Sequence, residues 1–235
     1  MPHKREKLVY KVGGIAAFCA ELLFRRNFSA EMHMFQGFGI FSVPDPLPES
    51  ASGWLTFLAD HLFAALSLLE AGEIVNYIIV CLVYFAFYLL MKKHFPRLSA
   101  LALALTLIAA GTNAFANKSL ALWSLNRQYT AADPAQTSAL VGQAETLLSA
   151  HQHGFGIQAG LFLILLSGLL FAILGLRSNQ VKISTAWFGI LFNGFALLNF
   201  AVMPLVPSLA WVLPTLFAPF RLLWHVMLGI KFLKM

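Results

Sequence analysis

Glu70, Glu73 and Tyr77 recur at three- and four-residue steps, so a helix through them presents two carboxylates and a phenol on one face. Asn117, Lys118 and Arg221 supply the amide and cations that could answer them, each in a strongly apolar neighbourhood. An ionisable side chain inside a bilayer costs about 2.5–3.5 kcal/mol at a helix centre. Groups placed there are expected to pair with one another or to line a polar chamber. A chamber built from these six residues would take a small ligand, an ion or a lipid headgroup. The competing expectation is that they are ion-pair and amide glue between helices, with the outermost charges snorkelling to water. Glu21, Gln158 and Asn199 fall at about the same depth, and Asn113 and Asn193 lie closer to the midplane.

The histidines suggest different chemistry. His151 and His153 form a His-x-His, and His61 stands at the start of another apolar run. Zinc needs three or four nitrogen, sulfur or carboxylate ligands, and Asp60 or Glu145 would complete such a set. His61 and His153 on facing helices would instead suit the two axial positions of a haem. Interfacial histidines that simply meet water are the commoner arrangement. His225, one helical turn from Arg221, reads as a hydrogen-bonding group within the bundle. Cys19 and Cys81 read as small buried apolar residues, since two cysteines at this spacing make no metal-ligand pair. No Gly-x-Ser-x-Gly elbow, His-Glu-x-x-His motif or phosphate-binding Gly-rich loop occurs, which argues against an enzyme.

The elements that must position these residues are membrane helices. Of 235 residues 59% are hydrophobic and 11% charged, and the mean hydropathy is +0.75. Polar groups are too few to cover a water-facing surface, so lipid must supply the rest of the solvent. About 20 apolar residues at 1.5 Å each cross a hydrocarbon core about 30 Å thick. Six spans are predicted, at residues 8–24, 68–91, 98–123, 155–176, 184–206 and 216–233, giving an all-α polytopic bundle in a single integral-membrane domain. Pro214 and Pro219 mark the approach to the last span as an interfacial or re-entrant piece.

Lysines and arginines set the orientation. With the amino terminus inside, Lys4, Arg5, Lys7, Lys11, Lys92, Lys93, Arg97, Arg177, Lys182, Lys231 and Lys234 fall on inner flanks. Only Arg25, Arg26, Lys118, Arg127 and Arg221 do not. Both termini are therefore expected in the cytoplasm, in a cell (inner) membrane, with the first span uncleaved. The net charge of +6 and pI near 9.5 follow from this topology and from contact with anionic lipid. The basic residues form no patch interleaved with aromatics, which excludes a nucleic-acid partner.

Two long segments are expected outside. Residues 29–67 carry Met32, Met34, Phe35, Phe38, Phe41, Trp54 and Phe57 around a Pro44–Pro48 breaker. So apolar a loop should lie on the membrane surface or against another protein. From Asp60-His61 a helical run is expected to lead directly into the second span. In residues 124–153, Asp133-Pro134 reads as a helix start. Leu140, Ala144, Leu147 and Leu148 then mark the apolar face of an amphipathic surface helix.

The chain resembles the bacterial and archaeal membrane proteins grouped as the domain of unknown function 4386 family. Thr130-Ala131-Ala132-Asp133-Pro134-Ala135-Gln136 is similar to that family's outer loop, which carries a small-Asp-Pro-x-Gln run. Arg177-Ser178 followed by Trp187-Phe188-Gly189-Ile190-Leu191 resembles its inner turn and the helix start after it. Asn76-Tyr77 and Trp224–Lys231 are similar to family positions as well. The chain departs from the pattern in its longer apolar segment 29–67, and in Arg221 and His225 where the family tends to carry an acidic residue. The resemblance implies the fold and carries no catalytic residue across.

Three functions are expected from these features. The first is an accessory or structural subunit of a larger membrane complex or homo-oligomer, docking through the apolar outer segment. The second is a small transporter or ligand-binding protein using Glu70, Glu73, Tyr77, Asn117, Lys118 and Arg221. The third is a haem- or zinc-binding, or lipid-modifying, protein built around His61, His151 and His153.

Overall fold

A computed structural model describes residues 4–23, 47–202, 205–206 and 212–235, and for residues 22–23, 153 and 212–215 the backbone alone. The apolar run Met32–Phe41 lies outside the described residues. The described residues form ten helices and no strand: α1 (Lys4–Leu23), α2 (Ala51–Asp60), α3 (Leu62–Leu68), α4 (Ala71–Met91), α5 (Pro96–Ala116), α6 (Ser119–Tyr129), α7 (Pro134–His153), α8 (Phe155–Ser178), α9 (Ile183–Val202) and α10 (Val212–Leu233). The architecture is an all-α polytopic bundle.

Among the described residues, five stretches are long and apolar enough to cross a membrane: Ala71–Met91, Pro96–Tyr129, Pro134–Ser178, Ile183–Val202 and Leu216–Leu233. The first expected span is also helical, as α1, with 20 residues. Lys4, Arg5, Glu6, Lys7, Lys11 and Glu21 keep its composition short of that standard. The exposed faces carry the membrane signature. On α4, Val75, Ile78, Leu82 and Phe85 form an exposed apolar stripe, while Tyr77, Tyr84, Phe87 and Met91 are buried. An apolar stripe of that length is stable only against lipid or another apolar surface.

The chain packs as two compact units. The first comprises residues 1–23, 76–112 and 159–235, hence α1, α9, α10 and most of α4, α5 and α8. Its core is aromatic: Phe87 stacks on Phe171 at 5.2 Å, and Tyr84 meets Phe171 at 5.3 Å and Trp224 at 6.1 Å. Hydroxyls tie α5 to α8, where Thr106 and Ser167 lie 2.7 Å apart and both donate to the Ala102 carbonyl. Glycines let helices approach closely. A Cβ on Gly14 of α1 would stand 3.0 Å from the Gly229 carbonyl oxygen of α10. Small residues at such crossings trade side-chain volume for backbone contact.

The second unit comprises residues 24–75 and 113–158. Ala51, Trp54, Leu55, Phe57 and Leu58 of α2 share its core with Ala64 and Ala65 of α3, Leu122 and Leu125 of α6, and Ala144 and Leu148 of α7. Asn126 on α6 donates to the Leu55 carbonyl and fastens α2 in place. The expected amphipathic helix is α7: Asp133 caps it, accepting from the Gln136 amide at 3.0 Å, with Pro134 at the first helical position.

Four expectations are corrected. The described part of segment 29–67 is largely helical, and its Trp54 and Phe57 are buried in the chain's own core. The run from Asp60 breaks twice before α4, at His61 between α2 and α3 and at Glu70, whose φ is 54°. The third span is interrupted at Asn117-Lys118, between α5 and α6. The last helix runs through Pro214 and Pro219 from Val212 to Leu233. Pro214 falls in its first turn, where the backbone amide lacks a helical partner in any case.

Candidate functional site

Of the residues singled out in the sequence, Glu70, Glu73, Asn117, Lys118, His61, His151 and His153 belong to the second unit, Tyr77 and Arg221 to the first. In the second unit the helix breaks bring Glu70, Asn117, Lys118 and His151 together. Asn117, 6% exposed, donates from Nδ2 to the Glu70 carbonyl at 2.9 Å. Its Oδ1 accepts from both the amide and the hydroxyl of Ser119, opening α6. Lys118 donates its amide to His151 Nδ1 at 3.4 Å, a long hydrogen bond, and its ammonium to the Phe115 carbonyl at 2.8 Å. That ammonium also stands 4.8 Å from the centre of the Phe115 ring. Burial pushes the His151 imidazole below the usual histidine range, the Lys118 cation adds to this, and Glu70 opposes it. A neutral ring is what the hydrogen bond needs, because Nδ1 accepts only while unprotonated.

Glu73 lies half-buried in the first turn of α4, and Tyr77 is buried in the first unit. His61 is exposed at the α2–α3 junction, its ring 5.6 Å from that of Phe57. The side chain of His153 lies outside those described. Among the described residues no three His, Cys, Asp or Glu side chains gather where they could hold a metal ion.

The first unit holds a tighter constellation. Arg221 on α10 grips Glu21 on α1 with two nitrogens, Nε to Oε1 at 3.2 Å and Nη2 to Oε2 at 3.2 Å. His225, one turn further along α10, brings Nδ1 to 2.7 Å from Oε1 of the same carboxylate. The three side chains are 12%, 10% and 6% exposed. A two-point arginine–carboxylate contact fixes geometry as well as charge. Beside it, Trp224 lies against α9 so closely that a Cβ on Gly189 would come within 2.6 Å of the indole. Asn193 donates from Nδ2 to the Gly189 carbonyl at 2.8 Å. Asn193 Oδ1, Trp224 Nε1 and His225 Nε2 are all buried without a hydrogen-bond partner among the described residues.

Sequence reasoning placed Glu21, Asn193, Arg221 and His225 by depth but did not join them, because Glu21 lies 200 residues from Arg221. The four-residue step from Arg221 to His225 was the legible half of the signal. Trp224 was invisible as a polar group, since its indole N–H counts for little beside its apolar ring.

The model of the family described as Domain of unknown function (DUF4386) matches residues 9–233, nearly the whole chain. The protein belongs to the DUF4386 family. The match spans both units and every residue discussed above except those before Val9 and after Leu233. No curated protein and no solved structure matches the chain.

Proposed function

We propose that this member of the family is a small-ligand-binding membrane protein, of transporter or receptor type, whose central site is Glu21, Arg221 and His225. The supporting observation is one carboxylate of α1 shared by a guanidinium and an imidazole of α10, with further polar atoms left unpartnered beside it. Charge so placed is expensive to retain for packing alone and is a functional candidate on that ground. Glu70, Glu73, Asn117 and Lys118 are proposed as ligand contacts of the second unit. Tyr77 joins the proposal in the first unit. The proposed setting is the cell (inner) membrane, with lipid as the surrounding partner and both termini in the cytoplasm. The basic residues of the helix connections support it: Lys92, Lys93 and Arg97 lie around the α4–α5 turn, Arg177 and Lys182 around the α8–α9 turn.

The competing role, an accessory subunit, drew on the apolar segment 29–67. Trp54 and Phe57 of that segment are buried within the second unit, and its Met32–Phe41 run lies outside the described residues. Purification from native membranes into lipid nanodiscs, followed by thermal unfolding against a panel of small polar solutes, tests the proposal. A solute that raises the midpoint of the unaltered protein, and fails to do so for Glu21→Gln and for Arg221→Lys, supports it. Recovery in fixed stoichiometry with a larger assembly, with no solute response, overturns it in favour of the subunit role.

A further inference from the structure

His225 narrows the chemistry of that site. Its Nδ1 faces two acceptors, Oε1 of Glu21 at 2.7 Å and the Arg221 carbonyl oxygen at 3.2 Å. A nitrogen facing only acceptors carries the ring's proton, so Nε2 is left with a free lone pair. Nε2 is buried and has no hydrogen-bond partner among the described residues. A carboxylate that receives Nδ1–H fixes the tautomer, orients the ring and stabilises the imidazolium that forms when Nε2 takes a proton.

We infer that His225 Nε2 is a proton-binding site within the first unit, with Glu21 its positioning residue. This names the proton as one ligand of the site proposed above and rests on that reading of the three residues. The balance is direct. A neutral imidazole takes one proton at Nε2, no bond breaks, and the Glu21–Arg221–His225 cluster passes from net zero to a single positive charge. The carboxylate then stands between two cations, one of them supplied by the bound proton.

The groups around the ring leave this role to His225. Glu21 comes from α1 and Arg221 from α10 itself. On α9, Phe192 stands 6.4 Å from the His225 ring, and neither it nor Asn193 titrates. Tyr84 of α4 reaches the neighbouring Trp224, which stands 5.1 Å from His225.

The test is nuclear magnetic resonance of the full chain in lipid nanodiscs, with isotope-labelled histidine, titrated from pH 5 to 9. Comparison with His225→Gln assigns the signal. The expected result is a His225 spectrum that passes from the Nδ1–H tautomer to the imidazolium. In Glu21→Gln the proton affinity should fall at least about tenfold, because the carboxylate favours the charged ring. Glu21→Asp, which keeps the charge at a longer reach, should show a smaller fall and serves where Glu21→Gln does not insert. A His225 signal constant over the whole range overturns the inference, as does a midpoint unmoved in both Glu21 variants. Titration without any solute response leaves the proton site standing and removes the solute reading.

Discussion

Glu70 is held at φ 54°, in the left-handed region where a side chain costs about 1–2 kcal/mol and glycine costs nothing. The strain is held in place from outside: its carbonyl accepts from buried Asn117, and its own amide bonds the Ser67 carbonyl at 3.0 Å. A strained residue at a helix junction suggests a role for the side chain that glycine would lack. Glu70→Gly should therefore raise the stability of the second unit by about 1 kcal/mol, read as a higher midpoint in denaturant unfolding. Loss of stability in that variant would mean that the carboxylate itself holds the junction. Asn117→Ala should act in the opposite sense. It leaves the Ser119 amide and hydroxyl without their partner and the Glu70 carbonyl with the Glu73 amide alone, at about 1–3 kcal/mol.

Two elements carry predictions of their own. The first is the α9–α10 contact, where Gly189 meets the Trp224 indole and Ala172 of α8. An added methyl would come within 2.8 Å of the Ala172 Cβ, and neither neighbour is a flexible chain end that could swing aside. Gly189→Ala should cost about 1–3 kcal/mol by overpacking, measured as a lowered thermal midpoint in nanodiscs. The second is the break between α5 and α6, held in part by His151. Its lowered proton affinity means that the unfolded state binds more protons, so stability rises with pH. The contribution is fully present above the ordinary histidine value of 6.5 and fades as pH falls below it toward the depressed folded value. Hydrogen exchange of the Lys118 amide should accordingly show greater opening at pH 5 than at pH 7.5, after correction for intrinsic rates. In His151→Gln that difference should vanish, and a difference that persists would place the pH response elsewhere.

At the scale of the whole molecule, the proposed orientation makes one strong demand. With Cys19 and Cys81 replaced, a single cysteine introduced as Lys93→Cys should resist a membrane-impermeant thiol reagent added to intact cells. One introduced as Ser138→Cys, on the exposed face of α7, should react with it. The reverse pattern would invert the topology and with it the side from which any ligand arrives.

Composition alone determined that the chain is a helical membrane protein, because lipid solvation is a sum over residues and needs no knowledge of contacts. Local rules located α7, since Asp133 and Pro134 act within one turn. They could not foresee the breaks at Glu70 and Asn117, where both flanks are helix-forming and the interruption is held by partners distant in sequence. The burial of Trp54 and Phe57, likewise, depends on α6 and α7 being there to receive them. The pairing of Glu21 with Arg221 and His225 was decided by tertiary structure only. Helical periodicity links residues one turn apart, as it does Arg221 and His225, whereas α1 and α10 meet through the packing of the bundle.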